Sequence, residues 1–281
     1  AFTPNRSVSA LACISQKWFN ATDNSHNGRM GVHALFLDFR KAFDTVDHGI
    51  LLRKLAELNI NKIFWLWIQS FLNGRSQQVK MNSFLSSVSP CPAGVPQGSV
   101  FSLTLFNVHI NDIEDSILNS ITVVVYKYAD DCTLDESVKD GNVSHMQEAL
   151  NSIQTWADHN KMALNPKKTK DMWICFRDCI PEPPSLTIDG ELIGRTSSFK
   201  LLGVWHQNTL KWNEHIKETT KKANSRMFCL RECRRANLPT EVGITCYMTK
   251  IRPLLEYGSP IWGGIPQYLV DELENIQARC L

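Results

Sequence analysis

Val123-Val124-Val125-Tyr126-Lys127-Tyr128-Ala129-Asp130-Asp131 is the stretch whose reading decides the fold of this chain. Its β-branched and aromatic residues predict a buried strand. The strand runs into two adjacent carboxylates, with only Lys127 nearby in sequence to balance them. Neighbouring ionised aspartates repel each other, and holding them partly buried costs free energy unless a cation compensates. Mg²⁺ suits such a place, because it prefers carboxylate oxygens and keeps coordination positions open for phosphate. The competing interpretation is an Asp-Asp turn closing a β-hairpin, which needs no metal.

A second strand of the same kind lies far upstream. His33-Ala34-Leu35-Phe36-Leu37-Asp38 is a short apolar run ending in one carboxylate, and no local turn chemistry asks for Asp38. Two such strands side by side would gather three carboxylates at one edge of a sheet. That is a ligand set for paired ions holding the attacking and leaving oxygens of a phosphoryl transfer.

At 281 residues the chain can hold one large or two modest domains. Hydrophobic residues make up 43% and charged residues 21%, which excludes a disordered composition. The longest apolar stretch, Ile63–Leu72, is broken by Gln69 and is too short to cross a bilayer, and no signal-peptide pattern opens the chain. Nine scattered cysteines fit a reducing compartment better than a disulfide framework. Cys175/Cys179 and Cys229/Cys233 have ligand-like spacing, but without a CxxC or clustered His they read as ordinary thiols ahead of zinc ligands. The net charge of +2 hides an asymmetry: residues 196–235 carry nine basic and three acidic side chains, net +6, which leaves −4 elsewhere. A basic segment beside an acidic, metal-seeking centre suits a polyanion held in one place and processed in another; a solvated helix face is the plainer alternative.

In chain order, residues 1–7 predict a turn leading into a helix through Phe19, and the missing initiator methionine predicts a fragment. A polar loop follows over Asn20–Gly31. Beyond Asp38, the Phe43 ring is placed either to floor a nucleotide's sugar, leaving no room for a 2′-hydroxyl, or to join the core. Helices are expected over Ile50–Leu58 and Lys62–Leu72, then a hairpin of Gln77–Met81 and Phe84–Ser89. The loop Cys91-Pro92-Ala93-Gly94-Val95-Pro96-Gln97-Gly98-Ser99 ends in an N-cap serine and opens an apolar helix bearing Leu105, Phe106, Val108, Ile110 and Ile113. Gly98 permits close approach, and Gln97 supplies donors and an acceptor. An amphipathic helix is predicted over Val143–Asn160 and a strand over Lys170–Phe176. From Asn213 onward Ile216, Ala223, Met227 and Leu230 share one helical face, with Lys217, Lys221, Lys222 and Arg226 largely off it.

Phe36-Leu37-Asp38 with Lys41-Ala42-Phe43-Asp44, then Gly94-Val95-Pro96-Gln97-Gly98-Ser99, then Tyr128-Ala129-Asp130-Asp131 resemble, in order, the core motifs of a reverse transcriptase. Thr45-Val46-Asp47-His48, Leu105-Phe106-Asn107 with Ile110-Asn111-Asp112, and Asn165 with Lys168-Thr169-Lys170 resemble the non-LTR (LINE-type, Jockey-like) retrotransposon branch. So do Phe199-Lys200, Leu202-Gly203-Val204 and Pro260-Ile261-Trp262-Gly263. The similarity runs almost end to end.

The resemblance implies an α+β right-hand polymerase: a palm of antiparallel sheet with packed helices, partial fingers and a helical thumb. Residues 1–30 would be a remnant of the fingers, 31–195 the palm with finger elements inserted at about 60–90, and 196–281 a primer-grip hairpin and thumb. Asp38, Asp130 and Asp131 would be catalytic and hold two Mg²⁺, or Mn²⁺ in their place. Lys168 would donate a proton to the leaving pyrophosphate. Phe39 would lend a carbonyl to a metal, Phe43 would be the steric gate, and Gln97, Gly98 and Arg6 would contact nucleotide or template. Lys200, Leu202 and Gly203 would grip the primer, and Lys217, Lys221 and Lys222 would follow the duplex backbone. The implied partners are an RNA template, a DNA primer or nicked target DNA, deoxynucleoside triphosphates and an upstream endonuclease domain, with no membrane. The implied setting is the cytoplasm and nucleus. Thr3 stands where the family has arginine, Leu103 replaces a proline and Leu201 an aromatic. These departures motivate the alternative of a catalytically silent domain that binds RNA or RNA–DNA hybrid.

Overall fold

The computed structural model describes residues 6–23, 30–118 and 121–280. The helices are α1 (Arg6–Thr22), α2 (His48–Glu57), α3 (Lys62–Leu72), α4 (Val100–His109), α5 (Met146–His159), α6 (Asn213–Arg235), α7 (Thr240–Cys246), α8 (Arg252–Glu256), α9 (Ser259–Trp262) and α10 (Gln267–Cys280). The strands are β1 (Met30–Leu37), β2 (Ser76–Gln77), β3 (Lys80–Met81), β4 (Phe84–Leu85), β5 (Ser89–Pro90), β6 (Val124–Tyr128), β7 (Asp131–Lys139), β8 (Lys170–Ile174), β9 (Thr187–Ile188), β10 (Glu191–Leu192), β11 (Gly194–Arg195), β12 (Ser198–Leu201) and β13 (Val204–Gln207). The described residues fall in two compact units, one within 33–171 and 182–195, the other within 2–32, 172–181 and 196–281.

The main sheet has the order β11-β8-β1-β7-β6. β6 and β7 pair antiparallel, with Val124 opposite Asp135 and Tyr128 opposite Asp131. β8 and β11 pair parallel. The sheet is therefore mixed, which corrects the expectation of an antiparallel one. β1 lies third in the order and is buried from Gly31 to Leu37, as its apolar run requires. β6 departs from the expectation of a buried strand: Val124 is exposed and the rest are only half-buried. The cause is its outer position, which leaves its apolar residues without a neighbour on one side. Nor do the two aspartate-bearing strands lie side by side, because β7 runs between β1 and β6.

The first unit's core joins Leu35 and Leu37 of β1, Leu51 and Leu55 of α2, Ile68 and Leu72 of α3, Phe106 of α4 and the buried stripe Met146, Ala149, Leu150, Ile153 and Ala157 of α5. The predicted helix α3 matches its observed bounds, while α5 begins later than the sequence pattern indicated, after Glu136 has gathered the backbone and ring nitrogens of His145 and the hydroxyl of Ser144. The expected hairpin around residues 76–90 forms as two short pairs, β2 with β5 and β3 with β4. Asp171 of β8, fully buried, is held by His33 Nε2 at 3.2 Å and Arg195 Nε at 2.7 Å. Burial alone would raise its pKa, but the hydrogen bonds from His33 and Arg195 outweigh burial and hold it below the usual carboxylate range.

In the second unit, α1 buries Leu11, Ile14 and Trp18. Ser15 Oγ meets His206 Nε2 at 3.0 Å, and burial pushes the His206 pKa down to about 4, so this imidazole is neutral. β12 and β13 form the expected hairpin. Its two turn residues, Leu202 (φ +44°) and Gly203 (φ +92°), both have positive φ, as a two-residue type I′ turn requires. Tyr257 Oη donates to Leu202 O at 2.7 Å. α6 buries Ala223, Met227 and Leu230 against Ile251, Leu255 and Ile276, and turns Lys217, Lys221, Lys222 and Arg226 to solvent.

Replacing Arg195 by Leu strips the buried Asp171 carboxylate of its strongest cation. Unfolding in urea should show a loss of about 3 kcal/mol at neutral pH. Because the Asp171 pKa is lowered in the fold, that difference should persist above the unfolded carboxyl pKa and fade as pH falls through the folded one.

Candidate active site

β1 emerges from the core at Asp38, the first half-buried residue after an unbroken buried run. Three groups fix it there. Its backbone N–H donates to Thr169 Oγ1 at 3.2 Å, its carbonyl accepts from Asn165 N at 2.8 Å, and its Oδ2 accepts from Asn165 Nδ2 at 2.9 Å. An antiparallel bridge then pairs Phe39 with Leu164. That bridge uses the carbonyls of Asp38 and Ala163 and leaves Phe39's own carbonyl out. The Phe39 ring is buried edge-on to Trp156 at 6.4 Å, so the backbone at this point is anchored from inside.

The β6–β7 hairpin turns through Ala129 and Asp130, with Ala129 at φ +56°. Asp130 and Asp131 sit exposed at this tip. Crowding by neighbouring protein atoms raises the Asp131 pKa, and the charges of Asp130 and Asp38 raise it further. The Asp131 carboxyl thus feels both other predicted carboxylates, and its own strand, β7, lies next to β1, the strand that leads to Asp38. Among the described residues, however, no three His, Cys, Asp or Glu side chains converge closely enough to hold a metal ion as they stand. Lys127 does not balance the aspartates, as the sequence had implied; its ammonium pairs with Glu114 and with the Asn111 carbonyl.

The Gly94–Ser99 loop is bolted to the turn that follows Asp38. Gly94 N donates to Val46 O and Val95 N to Phe43 O, each at 2.8 Å, while His48 Nε2 donates to Gly94 O at 2.8 Å. Gly94 has φ +87°, and a Cβ there would lie 2.7 Å from Asp44 O. Gln97 Nε2 donates to Asp44 Oδ1 at 3.1 Å. Ser99 occupies the predicted N-cap position of α4, but its hydroxyl makes no cap bond. The loop and turn together wall a cavity of about 350 Å³ lined by Phe43, Gln97, Gly98, Ser99, Leu103 and Asp130. Phe43 is half core and half cavity wall: its ring stacks on Phe106 at 4.4 Å. A larger adjoining cleft of about 810 Å³ brings Lys41 and Arg75 to Asp44 and Gln97.

The other predicted residues are placed as follows. Lys168 is exposed in the turn after Asn165. In the second unit Lys200 lies on β12 beside Lys222; its pKa is lowered by partial burial and then by that like charge. Leu202 and Gly203 form the hairpin turn. Thr3 and the side chain of Arg6 lie outside the described residues. Sequence reasoning missed the grip of Asn165 and Thr169 on Asp38. A half-buried carboxylate needs donors, and that requirement was the available signal.

Residues 1–206 match the family described as reverse transcriptase (RNA-dependent DNA polymerase). The chain belongs to the reverse transcriptase family. Among similar proteins, the RNA-directed DNA polymerase from mobile element jockey of Drosophila melanogaster is 29% identical over 255 residues, covering 88% of this chain and 27% of its own length. The jockey polymerase of Drosophila funebris is 30% identical over 259 residues with the same coverage. A probable RNA-directed DNA polymerase from transposon BS of Drosophila melanogaster is 26% identical over 257 residues, covering 89% of this chain and 28% of its own. The chain thus spans about a quarter of the length of these relatives. It is a reverse transcriptase domain homologous to those of non-LTR retrotransposons, and no described helix is long and apolar enough to cross a membrane.

Two substitutions test this geometry without any activity assay. Gly94→Ala should cost more stability than Gly98→Ala in chemical denaturation. Both residues have positive φ, worth about 1–2 kcal/mol to a residue with a Cβ. Only Gly94 adds a collision with Asp44; Gly98 faces open space. Asp131→Asn should raise the melting temperature, since it removes a charge that the fold disfavours. The gain is expected in full above the raised folded pKa and should vanish below the unfolded value of 3.8, where the carboxyl is neutral in both states.

Proposed function

We propose that this domain is an RNA-directed DNA polymerase that extends a DNA primer on an RNA template. The observation that carries this reading is the single cavity walled by Phe43, Gln97, Gly98 and Asp130, in a chain of the reverse transcriptase family. In this reading the unit that holds Asp38, Asp130 and Asp131 is the palm, the hairpin pairs around residues 76–90 belong to the fingers, and the β12–β13 hairpin with α6 makes the primer grip and thumb.

The donor set fits a hard divalent cation. It consists of carboxylate oxygens, the Phe39 carbonyl lies beside it unused by the bridge, and the raised Asp131 pKa marks negative charge that lacks a counterion. Asp38, Asp130 and Asp131 would hold two Mg²⁺ or Mn²⁺ ions. Such ions would supply a lowered pKa for the attacking 3′-hydroxyl and charge stabilisation at the α-phosphate. The chain's own groups do the positioning. Asn165 and Thr169 aim Asp38, and the Phe106 stack fixes the Phe43 ring as a wall against the sugar's 2′ position. Gln97 is held in the cavity wall by Asp44. Lys168, exposed, is free to serve as proton donor to the leaving pyrophosphate. Lys200, Lys217, Lys221 and Lys222 meet the phosphates of primer and duplex, where their charge gives affinity without sequence preference. The template is element RNA, the primer a nicked chromosomal strand, and the nick the work of an endonuclease domain in the longer polyprotein. That places the reaction in the nucleus, after synthesis in the cytoplasm.

The deciding assay is Mg²⁺-dependent incorporation of deoxynucleotides on an RNA template with a DNA primer, with Asp130→Ala as control. The parent domain should extend the primer, and the substitution should reduce the rate by at least ~10³-fold. Salt-sensitive hybrid binding by a folded domain that never extends would favour the silent binding reading, for which Leu103 in the cavity wall is the specific motive.

A further inference from the structure

α6 carries Cys229 and Cys233 one helical turn apart, and α7 ends on Cys246. The two helices pack together, and the Cys246 pKa is raised by burial and then by the neighbouring Cys229 and Cys233. All three thiols are free and half-buried. Cys229 and Cys246 open onto a common cleft of about 400 Å³ that also presents Glu241, Thr245, Thr249 and Lys250. After Cys246 the backbone widens into a π-helical turn, Tyr247–Ile251, next to Pro253 in the first turn of α8. Pro253 has no N–H to return to the carbonyl four residues back, so the segment leaves regular α-helical bonding there.

We propose that Cys229 and Cys246 are a redox-active thiol pair, oxidised by peroxide to a disulfide that ties α6 to α7. Two thiols that share a cleft between packed helices can be oxidised to a disulfide. Cys229 lines the open cleft, where peroxide can reach its sulfur. Its sulfur attacks one peroxide oxygen, the O–O bond breaks, and the released hydroxide takes the thiol proton to leave as water. The sulfur is now a sulfenic acid. The Cys246 sulfur attacks it, an S–S bond forms, and the departing hydroxide carries off the Cys246 proton as a second water. Two thiols lose two protons and two electrons, and one peroxide becomes two waters. Burial and the neighbouring thiols keep Cys246 protonated at rest, which suits the second of these roles. The proposal stands apart from polymerase activity.

The test uses the full chain, treated with a few equivalents of hydrogen peroxide, alkylated with N-ethylmaleimide and digested without reductant for mass spectrometry. The expected product is a Cys229–Cys246 linked peptide two hydrogens lighter than its parts, with loss of alkylation at both positions while the exposed Cys13 and Cys179 remain alkylated. The melting temperature should rise on oxidation and fall back with dithiothreitol, and Cys246→Ser should abolish both effects. If that variant fails to fold, the peptide map of the parent chain decides alone. Full alkylation of Cys229 and Cys246 at a dose that oxidises Cys13 or Cys179 overturns the proposal, as does a bridge formed instead by Cys233.

Discussion

Between Gly31 and Leu37 every residue of β1 is buried, so the strand can carry a charge only where that burial ends. Asp38 is that place, and the rest of the candidate site hangs from it. The strand's exit is clamped by Asn165 and Thr169 from the segment before β8, so the following turn leaves in a fixed direction. Phe43 is carried by that turn onto Phe106, and the Gly94–Gly98 loop is bonded to the same turn through Val46 and Phe43. Only the β6–β7 tip arrives independently, and it brings the charges whose repulsion registers on Asp131.

The first unit treats its carboxylates in two different ways. Asp171, through its Oδ2, is held by His33 and Arg195, and Glu136 is held by Ser144 and His145. His33 joins the two groups, because its Nδ1 meets Ser144 Oγ at 2.9 Å. Among the described residues Asp130 and Asp131 have no such cation. Even the lysine within their own hairpin turns away to Glu114. The contrast separates carboxylates that the fold has neutralised from carboxylates whose charge it leaves standing.

Much of this was legible in the sequence, because period and punctuation are local. The apolar run 33–37, the helix over Lys62–Leu72 and the two-sided character of α6 stand where spacing placed them, and the hairpin around Leu202-Gly203 stands where the family resemblance put it. What eluded the sequence is pairing at a distance. The Val-rich run 123–125 describes a strand equally well at the centre or the rim of a sheet, and only the strand order makes β6 the rim. The parallel β8–β11 pair, the partner of Lys127 and the meeting of Cys246 with α6 depend likewise on contacts between residues far apart in the chain. The cavity was half readable. Phe43, Gln97 and Gly98 were named from their motifs, while Leu103 was noted only as a departure and turned out to line the same wall.

The outer position of β6 has a colloidal consequence. Among the described strands β6 has a neighbour on one side only, and it shows Val124 to solvent. The usual safeguard is a charge pointing outward from such a strand, but the single lysine of β6 is spent on Glu114 and the Asn111 carbonyl. What remains is a five-residue length and the carboxylates at its end. At concentrations high enough for molecules to meet edge to edge, those aspartates are the strand's main electrostatic guard against stacking. The carboxylates at the hairpin tip would thereby help keep the molecules apart, and salt, by screening them, would weaken that guard.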